Sequence, residues 1–467
     1  MENNNDDFWN FEEGDNLLNR FENSLKKNQK VYFDVDEFEE IADKFLILGL
    51  PDLALKAVDE GLLQHPGDEN LFYLKAQSLL DLNRAEEAVP IILNLKKTDN
   101  QNPFLYILEG NAFLILKDHV KAEIIFNKAL DLTDDENRYE ALSVIAGNYF
   151  DSEIYLQAGK YFKEALQFDT KNQDILFNLA ICCENSFDYS NAISYYNAYL
   201  NIEPYDSLAW FYLGNLYGKS GQMKKSVEAM DFCIAIDEKF DLAYFQKAFT
   251  LYLDHQYEKA LQAFLKFMDF KNEAFISYYY LAICYKELKD FKNAKKYLLK
   301  TIATDRRFNN KSSEPFFFMG QIYEETKKYN LALKYYNDGI VMDPFNQQNW
   351  IGMGSVYMKV GLPDLSKNFY RRALSIDPEN GETHDTIIKS LILGNQWSYV
   401  VKFVKSALSS LGETDDLRVY YAAALVKTGK HKKALKSCPY VFNDTRLFGQ
   451  MLEICKDESL RKYQRNS

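Results

Sequence analysis

Catalysis needs a nucleophile, an acid–base pair, a metal cluster or a phosphate cradle, and few residues of this 467-residue chain offer one. Gly214, Gly218, Lys219 and Ser220 end like a phosphate-binding loop, in which backbone N–H groups cradle phosphates and the lysine reaches the outer one. That loop follows a strand and places four residues between its glycines, whereas three stand between Gly214 and Gly218. Nucleotide binding is not expected there. The histidines, His65, His119, His255, His384 and His431, include no pair at the i, i+4 spacing that would put two imidazoles on one helix face for a metal. The cysteines, Cys182, Cys183, Cys233, Cys284, Cys438 and Cys455, show no CxxC pair and no zinc spacing, so they read as small apolar core residues in a reducing compartment. No nucleophile elbow and no local Ser/His/Asp motif occurs. The chemistry-bearing residues therefore predict no enzyme, no metal and no cofactor.

Composition narrows what positions these residues. Hydrophobic side chains make up 47% of the chain and charged ones 26%, enough apolar material to fold, while 10 Pro and 20 Gly are too few for the tight turns of a sandwich or barrel. The length exceeds what one core supports, so the chain is several domains or a stacked array. A net charge of -13 repels a phosphate backbone and argues against a nucleic-acid binder. Residues 1–40 hold 12 acidic and 4 basic side chains, and residues 401–467 hold 7 and 13, giving an acidic head and a basic tail. No stretch reaches the roughly 18 apolar residues of a membrane span, and the N-terminus lacks a signal peptide's basic and apolar regions, so the expected location is the cytoplasm.

Self-comparison reveals a repeat. Units start at residues 35, 69, 103, 139, 173, 207, 241, 275, 313, 347, 381 and 415, nine of the eleven steps being 34 residues and the others 36 and 38. The eighth position holds Ala or Gly in eleven of twelve units, Ile388 being the exception; the twentieth holds Ala in nine, with Ser226, Ser366 and Val400 elsewhere. Such columns fit antiparallel helices crossing closely, where a side chain must be a methyl or less. Gly49, Asn83, Gly221, Gly361, Asn395 and Gly429 share the fifteenth position, where a left-handed turn between the helices is cheapest. His119 and His431 share the seventeenth, which elsewhere carries aromatics such as Tyr155 and Tyr189, so they are expected to replace a packing ring. Apolar residues at helical spacing over 14–28 and 444–462 predict capping helices. The domain plan is an acidic segment with a capping helix at 1–34, an array at 35–438, and a capping helix and tail at 439–467.

The sixth unit carries Trp210, Leu213, Gly214 and Tyr217; the ninth Phe316, Met319, Gly320, Tyr323, Ala332, Tyr336 and Pro344; the tenth Trp350, Met353, Gly354, Tyr357, Tyr370, Ala373 and Pro378. In these residues the chain resembles the tetratricopeptide repeat family. The resemblance implies an all-α fold, a right-handed α-α superhelix of about twelve helix pairs, with each first helix lining a concave groove that binds a protein or peptide. The eleventh unit departs most and is expected to pack irregularly. Family members that bind acidic chaperone tails use a clamp of Lys, Arg and Asn. Its positions here carry residues such as Tyr73, Ile107 and Phe177, so the ligand is not expected to be an acidic tail.

Within the implied groove, the fifth position of five successive units is Phe177, Phe211, Phe245, Tyr279 and Phe317. Asn215, Phe249 and Gln321 at the ninth and Tyr252 at the twelfth adjoin it. One reading makes this an apolar floor with two amides for a peptide backbone; the other makes it stacking between neighbouring helices. The expected function is a non-catalytic scaffold or adaptor for a protein or peptide with apolar side chains, without membrane insertion. The alternatives are self-assembly of acidic head on basic tail, and RNA reading by a related helical repeat.

Overall fold

Seven units close on a short polar side chain that accepts from an N–H of the next helix. Asp68, Asn102, Asn172, Asp206, Asn346, Asn380 and Thr414, all at the last position of a unit, cap the helix that follows. The computed structural model describes residues 16–27, 30–270, 275–308 and 312–456. In it the first helices begin at residues 35, 69, 103, 138, 173, 207, 241, 275, 314, 347, 381 and 415, within one residue of the repeat frame. Every regular element among the described residues is an α-helix, paired as hairpins such as Val35–Ile47 with Pro51–Gln64 and Ser207–Lys219 with Met223–Ile236. The chain divides into two compact bodies, residues 1–237 and 238–467. Units one to six fall in the first body and seven to twelve in the second.

The turns are uniform. All twelve fifteenth positions are left-handed, with φ from 55° to 80°, including the Lys117, Glu153, Phe187, His255, Lys289 and Lys327 turns that the sequence did not flag. In every unit the N–H of position sixteen donates to the carbonyl of position eleven at 2.7–2.9 Å, the six-to-one bond of a Schellman motif. That bond satisfies an otherwise orphaned helix-end carbonyl and forces the left-handed residue whatever its side chain.

Packing refines the account of the small columns. A Cβ on Gly214 would lie 2.6 Å from Met230 Cε, and methyls on Gly110, Gly320 and Gly354 would overlap the rings of Phe126, Tyr336 and Tyr370. The eighth-position glycine thus admits the bulky twenty-fourth-position side chain as well as a close helix crossing. Unit eleven keeps regular helix boundaries, Gly381–Leu393 and Trp397–Leu411, with Ile388 and Val400 fully buried, while its packing departs from that of the other units as expected. The larger side chains are accommodated by less closely apposed helices. Unit twelve has a short second helix, His431–Ser437, because Pro439 excludes helical geometry at Cys438 (φ -133°, ψ 54°).

The capping helices are Asn16–Lys26 and Thr445–Cys455. The first is tied to unit one by Arg20 Nη1 to Glu37 Oε1 at 2.9 Å. The second ends at Cys455, with Lys456 left-handed at φ 50°, and the rest of its expected span, 457–462, lies outside the described residues. The acidic residues 1–15 and residues 457–467 of the basic tail lie outside the described residues. All six cysteines are buried and in no disulfide, Cys182, Cys183 and Cys233 in the first body and Cys284, Cys438 and Cys455 in the second. Among the described residues no helix is long and apolar enough to cross a membrane.

Candidate partner-binding face

The residues singled out by chemistry have local roles. Gly214, Gly218 and Lys219 lie within the helix Ser207–Lys219, and Lys219 Nζ pairs with Glu184 of the preceding unit at 2.8 Å. His119 does not pack as a ring: it is exposed as the first residue of the helix His119–Leu132, capped by Asp118. His384 has a role that its sequence context hid. Trp210 and Trp350, at the fourth position, donate Nε1–H to the carbonyls of Pro204 and Pro344, each at 2.9 Å. His384 Nε2 makes the equivalent bond to Pro378 O at 2.9 Å, so it replaces the tryptophan in tying a first helix to the preceding turn.

The first-helix face of the first body carries Phe177, Phe211 and Asn215, all half-buried. The Phe177 ring centroid lies 5.1 Å from that of Tyr199, 5.5 Å from Tyr196 and 6.0 Å from Tyr212, and Phe211 meets Tyr212 at 6.0 Å. In the second body Phe245 meets Phe249, Phe264, Phe267 and Tyr280 at 5.3–6.3 Å. Tyr280 also touches Tyr252 at 5.5 Å and Tyr279 at 5.2 Å. Tyr279 continues to Phe318 at 5.9 Å, and Phe317 lies 5.4 Å from Phe318. Sixth-position rings, Tyr212, Tyr280 and Phe318, thus interleave with the fifth-position ones. The sequence did not show this, because the sixth position elsewhere holds Glu40, Asn178 or Gly352 and forms no column. Each fifth-position ring is held by other aromatics and also presents an open edge.

Units nine to eleven shape that face into a cleft of about 700 Å³. Phe317, Phe318 and Ile351 supply its apolar wall, and Gln321 stands beside them. The Gln321 Oε1 atom is buried and accepts no hydrogen bond. Gln347, by contrast, is fully engaged: its Nε2 donates to Ala373 O and Asp377 O at 3.0 and 3.2 Å, and its Oε1 accepts from Asn380 and Thr383, both at 3.1 Å. It braces unit ten against unit eleven. Among the described residues, the charged ones lining the cleft are all acidic, Glu314, Asp377 and Glu382. Burial pushes the Tyr279 phenol upward, and the hydrogen bond to Glu314 and that carboxylate's charge add to it. Below the cleft, Glu324 accepts from Tyr336 OH and Ser355 Oγ, each at 2.6 Å, and pairs with Lys359 Nζ at 2.9 Å, stapling unit nine to unit ten.

Stacked helical hairpins with left-handed turns and small-residue crossings define a helical-repeat protein. Tetratricopeptide repeat profiles match residues 173–206, 208–240, 277–305, 313–346 and 347–380. The chain thus carries tetratricopeptide repeats over these residues. It is 24% identical over 407 residues to a TPR repeat-containing protein of Methanocaldococcus jannaschii, covering 85% of this chain and 67% of that one. It is 23% identical over 254 residues to anaphase-promoting complex subunit 3 of Schizosaccharomyces pombe, covering 54% of this chain and 32% of the relative. The crystal structure of yeast Tom70 aligns with a TM-score of 0.42 at 12% identity, over 90% of this chain and 99% of that one.

Proposed function

We propose that the chain is a non-catalytic scaffold or adaptor that holds a segment of another protein against its first-helix face. The observation that carries this is the cleft of units nine to eleven, where an aromatic wall adjoins the buried, unpartnered carbonyl of Gln321. A buried acceptor left unsatisfied costs about 1–3 kcal/mol, which a ligand N–H entering the cleft would recover. The aromatic wall favours apolar side chains, and the acidic rim favours a segment carrying Lys or Arg over an acidic tail. Similarity to a subunit of a multiprotein complex supports the same reading.

Partners captured from the native organism and identified by mass spectrometry would be re-measured against Phe317→Ala and Gln321→Leu. Each substitution is expected to weaken binding by about 2 kcal/mol. Unchanged affinity in folded variants would move the binding surface off this face.

A further inference from the structure

The second helices of units ten and eleven, Pro363–Ile376 and Trp397–Leu411, enclose a separate cleft of about 330 Å³. Lys367, Arg371 and Lys402 line it, and among the described residues no carboxylate does. Tyr399 stands among them, its ring centroid 5.1 Å from Lys367 Nζ and 6.0 Å from Lys402 Nζ. Asp364 lies close by, and its carboxylate accepts from the Tyr399 hydroxyl at 2.7 Å. None of the three cations forms an ion pair with a carboxylate among the described residues. Three unneutralised cations on one cleft of a chain with net charge -13 repel one another, and an anion seated between them relieves that repulsion. Phe403, buried, and Leu374, half-buried, add an apolar patch. The site therefore suits an anionic ligand that also brings an apolar or aromatic side chain.

The chain itself supplies that chemistry. Residues 1–15 contain Glu2, Asp6, Asp7, Glu12, Glu13 and Asp15, no Lys or Arg, and three aromatics, Phe8, Trp9 and Phe11. We propose that the cleft between these two second helices receives the acidic, aromatic N-terminal segment of a second copy of the chain. The contact uses a different face and the opposite ligand charge from the cleft of units nine to eleven, so a copy engaged this way keeps its first-helix face open. A segment of one copy on a cleft of another is a heterologous contact, which yields concentration-dependent oligomers, closed where the rotation between copies closes and open where it does not.

Sedimentation velocity of the full chain over a range of concentrations tests this. Association is expected at roughly 50 mM salt and should weaken at least about tenfold by roughly 500 mM, as the charges are screened. Two charge-reversed chains, one carrying K367E, R371E and K402E and the other D6K, D7K, E12K and E13K, should each stay monomeric, while their equimolar mixture associates. Should the reversed cleft fail to fold by circular dichroism, K367Q, R371Q and K402Q take its place, and loss of self-association is again the expected result. A wild-type chain that is monomeric at every concentration and ionic strength would overturn the proposal. So would association that survives either reversal, or a mixture of the two folded variants that stays monomeric.

Discussion

Lys327 sits at φ 57° with nothing about its side chain to favour that conformation. A left-handed backbone costs a side-chain-bearing residue about 1–2 kcal/mol, part of which glycine forfeits again through the freedom it adds to the unfolded chain. Lys327→Gly should therefore stabilise the second body by about 1 kcal/mol, read as a higher urea midpoint. Asn349 points the same way: it is fully buried, and both amide atoms lack hydrogen-bond partners. Asn349→Ala is expected to raise the midpoint by about 1 kcal/mol, because an orphaned amide costs more than the small void left behind. The sequence showed six of the twelve left-handed turns, those written in Gly or Asn. The rest were hidden because the hydrogen bond that imposes the conformation is made by backbone alone. His384 was hidden differently: one imidazole standing where two other units carry tryptophan forms no pattern, and only the shared bond to the preceding turn reveals the equivalence.

Between paired helices, what matters is which glycines face a neighbour. Gly147 lies in the helix Arg138–Asp151, and a methyl placed on it would meet nothing within 4 Å, whereas a methyl on Gly320 would overlap the Tyr336 ring. That ring cannot withdraw cheaply, since its hydroxyl is bound to Glu324, itself held by Ser355 and Lys359 of the next unit. Gly147→Ala should stabilise by about 0.5–1 kcal/mol through helix propensity. Gly320→Ala should destabilise by about 2 kcal/mol through overpacking, and thermal melts of the two variants moving in opposite directions would check both. Repeat spacing made the hairpins legible, because Ala and Gly columns report helix crossings directly. The candidate face was only half legible: the fifth-position aromatics stood out, but the sixth-position rings that hold them, from the same unit or the next, vary in type. Phe245, touching four other rings, has an architectural share that its column could not show.

At the scale of the whole chain, burial sets an alkaline limit. It pushes the thiols of Cys182, Cys233 and Cys284 up to about 12 from an ordinary 9.0. With folded values above unfolded ones, the unfolded chain releases these protons first, so their contribution to stability is complete below about pH 9 and is lost as pH rises towards 12. Urea midpoints taken from pH 8 upward should fall over that window, and Cys→Ala at these three positions should flatten the fall. The same six thiols do something else without any engineering. A thiol-specific reagent attacks only a thiolate that water can reach, so each buried cysteine stays silent until the helices around it part. Three such cysteines sit in each body, from Cys182 to Cys233 in one and from Cys284 to Cys455 in the other. The native protein is thereby a two-channel clock of its own breathing, its ticks read peptide by peptide in a mass spectrometer.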